Sequence, residues 1–288
     1  MAAAVTARSN RGGDVQQQPD PEIENRRLDV KIDKVLASTG GFGRYQIMVL
    51  ASMTCFTIGV GSFMSNLSYL EKIPREYVCT YKGLSEPKIC TPDTFCSDPS
   101  LVSYKPNFDL PDSFDNFISR LDMECHHPAR IGLIGSVYFV GWLFTLIFVP
   151  RFSDLFGRQK FVMVGSSAAL LSFLVIATTH TYWLLVGAVA ILGATSTVRL
   201  QVFSNFLNES CEGVHYSKAV GACFGTSGFF LIFSALYMRY LSKNTTYELI
   251  YFSLVMISIS TLISYFLKES PRYLIKTGQI ERASEVFE

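Results

Sequence analysis

Six apolar runs, each long enough to cross a bilayer, limit what this chain can fold into. They cover roughly Tyr45–Leu67, Ile131–Pro150, Phe161–His180, Trp183–Phe206, Ala219–Met238 and Ile250–Leu267. A helix rises about 1.5 Å per residue, so about 20 residues cross about 30 Å of hydrocarbon. No run alternates strictly between apolar and polar residues, which argues against a β-barrel. A soluble helical protein would need a polar shell to cover such helices. At 49% hydrophobic and 17% charged residues, with mean hydropathy +0.27, the chain does not supply one. The fold class read from this pattern is an all-α membrane protein with six transmembrane helices, and the lipid bilayer is its first partner.

The net charge of +1 gives no footprint for nucleic acid. The distribution of cations says more than their sum. If the N-terminus is cytosolic, the inner connections hold Arg151, Arg158, Lys160, Lys218 and the basic residues of 268–282, while the short outer loops hold only Arg239 and Lys243. The positive-inside rule then places both termini in the cytosol. Residues 1–40 are polar, with few apolar residues before Leu28, and read as a disordered cytosolic tail. The acid-free first dozen residues faintly resemble a mitochondrial transit peptide, although Asp14, Asp20, Glu22 and Glu24 soon follow. The rest divides into a first span at 41–70, an outer loop at 71–130, spans two to six at 131–267, and an amphipathic segment at 268–288.

The outer loop is too long to be structureless and reads as a small subdomain, and it holds Cys79, Cys90, Cys96 and Cys125. Four cysteines in an outward-facing segment suggest two disulfides, with three possible connectivities. Zinc is the competing reading, since His126 and His127 follow Cys125, but there is no CxxC pair. Cys55, Cys211 and Cys223 read as buried or free thiols. Asn244 and Asn66 head sequons on the outer side and are glycosylation candidates; Asn208 falls on the inner side.

Between the second and third runs lies "RFSDLFGRQK", Arg151–Lys160, where Gly157 permits a tight turn between antiparallel helices. By itself this is a positively charged inner connection that sets topology. It also resembles the loop signature G-x-L-x-D-R-x-G-R-[RK] of the major facilitator superfamily. Asp154, Gly157 and Arg158 match, while Pro150 and Leu155 depart from it. Three further stretches are similar to the organic cation and organic anion transporter family within that superfamily. These are "LASTGGFGRYQ" before the first span, with Gly40, Phe42, Gly43, Arg44, Tyr45 and Gln46 in place, "RLDMEC" ending at Cys125, and "KESPRYLIKTGQIERASEVF" after the sixth span.

The resemblance implies one half of a major facilitator fold, a 3+3 inverted repeat with a disulfide-bearing outer loop. It also implies transport of small organic ions by alternating access, and an inner-side charge network of Asp154, Gly157, Arg158, Glu209, Glu269 and Arg272 that locks one conformation. A second six-helix half is then an expected partner, in a longer product of the same chain or as a separate subunit. The alternative is an inactive half-transporter serving as a structural subunit of a larger membrane complex. The expected location is the plasma membrane, with an organelle membrane, including the mitochondrial inner membrane, as the alternative.

Four residues stand out as substrate-binding candidates. Arg199 lies within the fourth run, and an intramembrane charge is a functional-site hypothesis by default; the competing reading has it snorkel to the inner surface or pair with an acid such as Glu209. Tyr138 and Trp142, one turn apart, can contact organic cations through their rings. Thr57 shares a face of the first run with Thr54 and Gly61. The glycines Gly221, Gly225 and Gly228 of the fifth run suit close helix packing. No enzyme signature, metal site or cofactor motif appears: there is no GxxxxGK[ST] loop, and His126, His127, His180 and His215 lack a nucleophile partner.

Overall fold

A computed structural model describes residues 43–83, 86–110, 113–211 and 213–287. The tail at 1–40, its transit-peptide character and the matches at Gly40 and Phe42 lie outside the described residues. Among the described residues, six helices are long and apolar enough to cross a membrane. They are α1 (Arg44–Ser65), α2 (Pro128–Phe156), α3 (Arg158–Thr178), α4 (Tyr182–Ser210), α5 (Gly213–Tyr240) and a sixth in which a π-helical segment (Thr246–Phe252) runs directly into α6 (Ser253–Phe266). Two short helices follow, α7 (Pro271–Lys276) and α8 (Ile280–Phe287). The multi-pass membrane fold expected from the sequence is the fold observed.

Three helices, α2, α4 and α5, run past their apolar stretches at both ends, because backbone hydrogen bonding continues into polar residues that hydropathy leaves out. The largest difference is at α2. Pro150 reads in the sequence as the end of a span, yet the helix passes through it to Phe156. Proline lacks the N–H that would bond the Leu146 carbonyl, a loss that membrane helices tolerate; one turn on, Ser153 Oγ donates to the Pro150 carbonyl at 2.8 Å. At its start, α2 has Pro128 in the first turn and His127 Nδ1 accepting the Ala129 N–H at 3.2 Å. The basic decapeptide is thus mostly helical, and Gly157 alone breaks it.

Glycines and hydroxyls bring the helices together. A Cβ at Gly193 of α4 would overlap the Tyr138 carbonyl of α2, and one at Gly141 of α2 would overlap the Ala190 carbonyl of α4. The two backbones therefore touch, as small residues allow in lipid. Thr145 Oγ1 donates to the Ala194 carbonyl at 3.0 Å and lies 2.9 Å from Thr197 Oγ1. Ser52 and Ser260 join α1 to α6 at 3.1 Å, and Ser166 and Ser264 join α3 to α6 at 3.0 Å. Between these seams an aromatic core forms, with Phe56 against Phe203 at 5.4 Å and Phe63 edge-on to Phe173 at 5.6 Å.

The segment between α1 and α2 is a small subdomain, as its length implies, and it is built on a β-sheet. Strand β1 (Tyr77–Tyr81) lies between β2 (Lys88–Cys90) and β3 (Leu101–Pro106), both antiparallel to it. Disulfides join Cys79 to Cys90 and Cys96 to Cys125, which selects one of the three connectivities and removes the zinc reading. Tyr77, Phe95 and Tyr104 form its core.

Side chains fasten this subdomain to the bundle. Asn116 Nδ2 donates to the carbonyls of Tyr69 and Lys72 beyond α1, at 2.9 and 2.7 Å. Arg120 Nη2 donates to the Ile176 carbonyl near the end of α3 at 2.6 Å. Asp115 holds the α5–α6 connection, with its carbonyl accepting from Thr245 and its Oδ2 accepting from Asn244 Nδ2 at 2.9 Å.

Candidate functional site

The α2–α3 corner lies at the end of the bundle opposite the disulfide subdomain. Gly157 has φ +98°, a left-handed geometry that favours glycine. Its lack of a side chain also leaves room for Glu269, whose Oε2 a Cβ there would strike. Glu269 Oε1 accepts the backbone N–H groups of Arg158 at 3.0 Å and Gln159 at 3.1 Å. It thus caps the start of α3, where free amides and the helix dipole favour an anion. It also accepts the Ser270 N–H at 3.1 Å, at the residue that precedes α7.

Arg158 is the hub of the corner. Its Nη2 bonds Asp154 Oδ1 at 2.7 Å, one helical turn back across the corner. Its Nη1 pairs with Glu209 near the end of α4 and also reaches the Asn205 carbonyl at 3.4 Å. Arg158 and Glu209 side chains are 13% and 15% exposed, against 55% for Asp154. The Arg158–Glu209 pair is therefore the shielded one, and the Asp154 pair contributes less. Further contacts close the same end. Gln46 Nε2 donates to the Ser210 carbonyl at 3.1 Å, Tyr45 hydroxyl to the Lys268 carbonyl at 3.0 Å, and Tyr273 hydroxyl to the Leu155 carbonyl at 3.1 Å.

The structure thus brings Asp154, Gly157, Arg158, Glu209 and Glu269 together. Arg272 sits two residues into α7, half-buried on the same segment. Sequence reasoning missed Tyr273 and Gln46. Both lie inside the quoted motifs, but which backbone carbonyl each reaches is a tertiary fact.

Arg199 occupies the other polar position. It lies on a π-helical turn, Val198–Val202, within α4, and such turns recur at functional positions. The residue is only 7% exposed. Among the described residues it pairs with no carboxylate, and its Nε has no hydrogen-bond partner. The snorkelling and Glu209-pairing readings therefore do not describe it: Glu209 pairs with Arg158, and Arg199 is buried against α1 and α5. Its Nη2 has only Met64 Sδ as an acceptor, at 3.8 Å. A Cβ at Gly61 would lie 2.7 Å from Nη1 and 3.7 Å from Ser227 Oγ.

The remaining candidates lie around this level. Tyr138 is fully buried, and its hydroxyl is 2.5 Å from Ser196 Oγ on α4. Tyr138 and Cys223 are within electrostatic reach of Arg199. Thr57 lies one turn before Gly61 on α1, with its hydroxyl buried and unpartnered, and Trp142 Nε1 is likewise buried without a partner. Both sequon asparagines make side-chain hydrogen bonds. Asn66 is buried with its Nδ2 donating to the Ser62 carbonyl at 2.9 Å, and Asn244 Nδ2 is held by Asp115.

A family model described as Major Facilitator Superfamily matches residues 110–288. No curated protein matches the chain.

Proposed function

The chain belongs to the major facilitator superfamily, and from that premise we propose that it moves small organic ions across a membrane by alternating access, as the N-terminal six-helix half of a transporter. Members of this superfamily are typically transporters rather than enzymes. The observation that carries the reading is the corner of Arg158, Asp154, Glu209 and Glu269, where one cation and three carboxylates join α2, α3, α4 and the segment before α7. Such a network forms when its end of the bundle is shut and breaks when that end opens, so it biases a two-state equilibrium. In this reading the corner faces the cytosol, both termini are cytosolic, the disulfide subdomain faces outward, and the membrane is the plasma membrane. Tyr138, Trp142, Thr57 and Arg199 face the pathway, and a second six-helix bundle completes it.

The test is uptake of a small organic cation and a small organic anion by the protein in liposomes, with any partner that copurifies. We expect uptake of one of them, slowed by Arg158→Gln. In the same variant, Ser153→Cys, at a buried position of α2, should be alkylated faster than with Arg158 intact, with Cys55, Cys211 and Cys223 replaced. Uptake of neither ion by a preparation containing a second bundle would sink the reading.

One observation favours a second reading. Only 22% of the most apolar stretch of α2 and 17% of that of α5 is buried, against 61% for α4. These faces suit a second transporter half, and they also suit unrelated membrane subunits, in which case the chain is a structural component of a larger complex.

A further inference from the structure

The corner sets the cycle but does not choose the cargo; the buried cation does. We propose that the transported ion is an organic anion, and that Arg199 receives its carboxylate in a site shared by α1, α4 and α5. The inference rests on the transport reading above and deepens it.

Three observations carry it. First, an unpaired guanidinium inside a membrane protein is expensive, and such charges are retained where they meet a partner or a pathway. Arg199 is 7% exposed, pairs with no carboxylate among the described residues, and leaves Nε without an acceptor. The thioether of Met64 at 3.8 Å does not neutralise it. Second, the fold makes room for the guanidinium. Gly61 places no side chain on α1 where Nη1 lies, since a Cβ there would come within 2.7 Å, and the π-helical turn of α4 sets the position of Arg199.

Third, the surrounding polar groups can donate. The Thr57 hydroxyl, one turn from Gly61, is buried and unpartnered, and Ser227 Oγ lies 3.7 Å from the Gly61 Cβ position. The Tyr138 hydroxyl is already engaged with Ser196. A carboxylate offers about four acceptor sites and matches the planar fork of arginine, whereas an organic cation would meet an uncompensated like charge.

The probes are radiolabelled benzoate and benzyltrimethylammonium, an anion and a cation of similar size, with the reconstituted protein and any partner that copurifies. We expect saturable benzoate binding and none of the cation. Arg199→Gln should weaken benzoate binding by about tenfold or more, as loss of one partner of a buried charge pair does. Arg199→Lys, which keeps the charge, should restore part of it. Gly61→Val, which intrudes on the guanidinium, should weaken it as well. The unmutated protein gives a check that does not depend on a variant folding: benzoate should slow alkylation of Cys223, which lies within electrostatic reach of Arg199.

Benzoate binding unchanged by Arg199→Gln, or Cys223 alkylation unaffected by benzoate, would overturn the proposal. So would a carboxylate from a second bundle found paired with Arg199 while the anion is bound. Binding of the cation instead would overturn it and leave the transport reading standing. Binding of neither ion would count against both.

Discussion

Glu71 shows at the scale of one residue how burial sets a pH dependence. It follows α1 and lies against the backbone of α2, where a Cβ at Gly135 would be 2.8 Å from its Oε1. Oε1 is buried without a hydrogen-bond partner. Burial penalises the carboxylate and pushes its pKa from 4.5 up to about 7, and the Gly135 backbone offsets only part of this. Between pH 4.5 and about 7 the folded protein keeps a proton that the unfolded chain has lost. Stability therefore falls as pH rises through that window and levels off above it. The melting temperature in detergent should drop from pH 5 to pH 8, and Glu71→Gln should flatten that drop. Identical pH profiles for the two proteins would refute this account.

The meeting of Gly157, Arg158 and Asp154 at one corner was legible in the sequence because a short motif carries all three. The isolation of Arg199 was not. Whether a membrane arginine snorkels, pairs or stays alone depends on which helices surround it, and sequence spacing fixes only its own helix. Glu71 gave no signal either, since its burial comes from a contact with α2 more than sixty residues away.

At the scale of elements, the decisive contact is the seam between α2 and α4. Gly193 and Gly141 let two backbones meet, and the seam positions Tyr138 beside Ser196, three residues from Arg199. Replacing Gly193 by Val should force the helices apart and cost about 1–3 kcal/mol or more, as overpacking does. Gly187→Val serves as the contrast, because a side chain there on the same helix meets nothing within 4 Å. Comparable melting temperatures for the two variants would mean that the close seam is wrong. The six spans were legible from hydropathy, although their ends were not, because hydropathy follows side chains while helices follow backbone hydrogen bonds. That the outer segment forms a subdomain was legible from its length, but its β-strands were not, because they hold three to six residues each, too few for a pattern of alternation to emerge. Its four cysteines were visible, and their partners were not.

At the scale of the whole molecule, the bundle leaves two broad apolar faces, on α2 and α5. The face of α2 presents Phe139, Leu143, Phe144 and Ile147, all at least 48% exposed. Such bulky residues suit lipid as well as protein. The face of α5 differs, since Gly221, Gly225 and Gly228 recur at helical spacing and a Cβ at any of them meets nothing within 4 Å. Glycine lowers helix propensity and offers lipid nothing in return, whereas a second helix gains close approach from it. A second bundle, as proposed for the transporter, would therefore seat a helix along these glycines. Gly225→Leu should leave the stability of this bundle, read by thermal melting, within about 0.5 kcal/mol of the unmutated protein, the usual range for a substitution that touches nothing. The same change should release the second bundle, read as a fall in native mass after extraction in mild detergent. A native mass unchanged by the substitution would place the partner elsewhere. A native complex containing other subunits and no second bundle would favour the structural reading over transport.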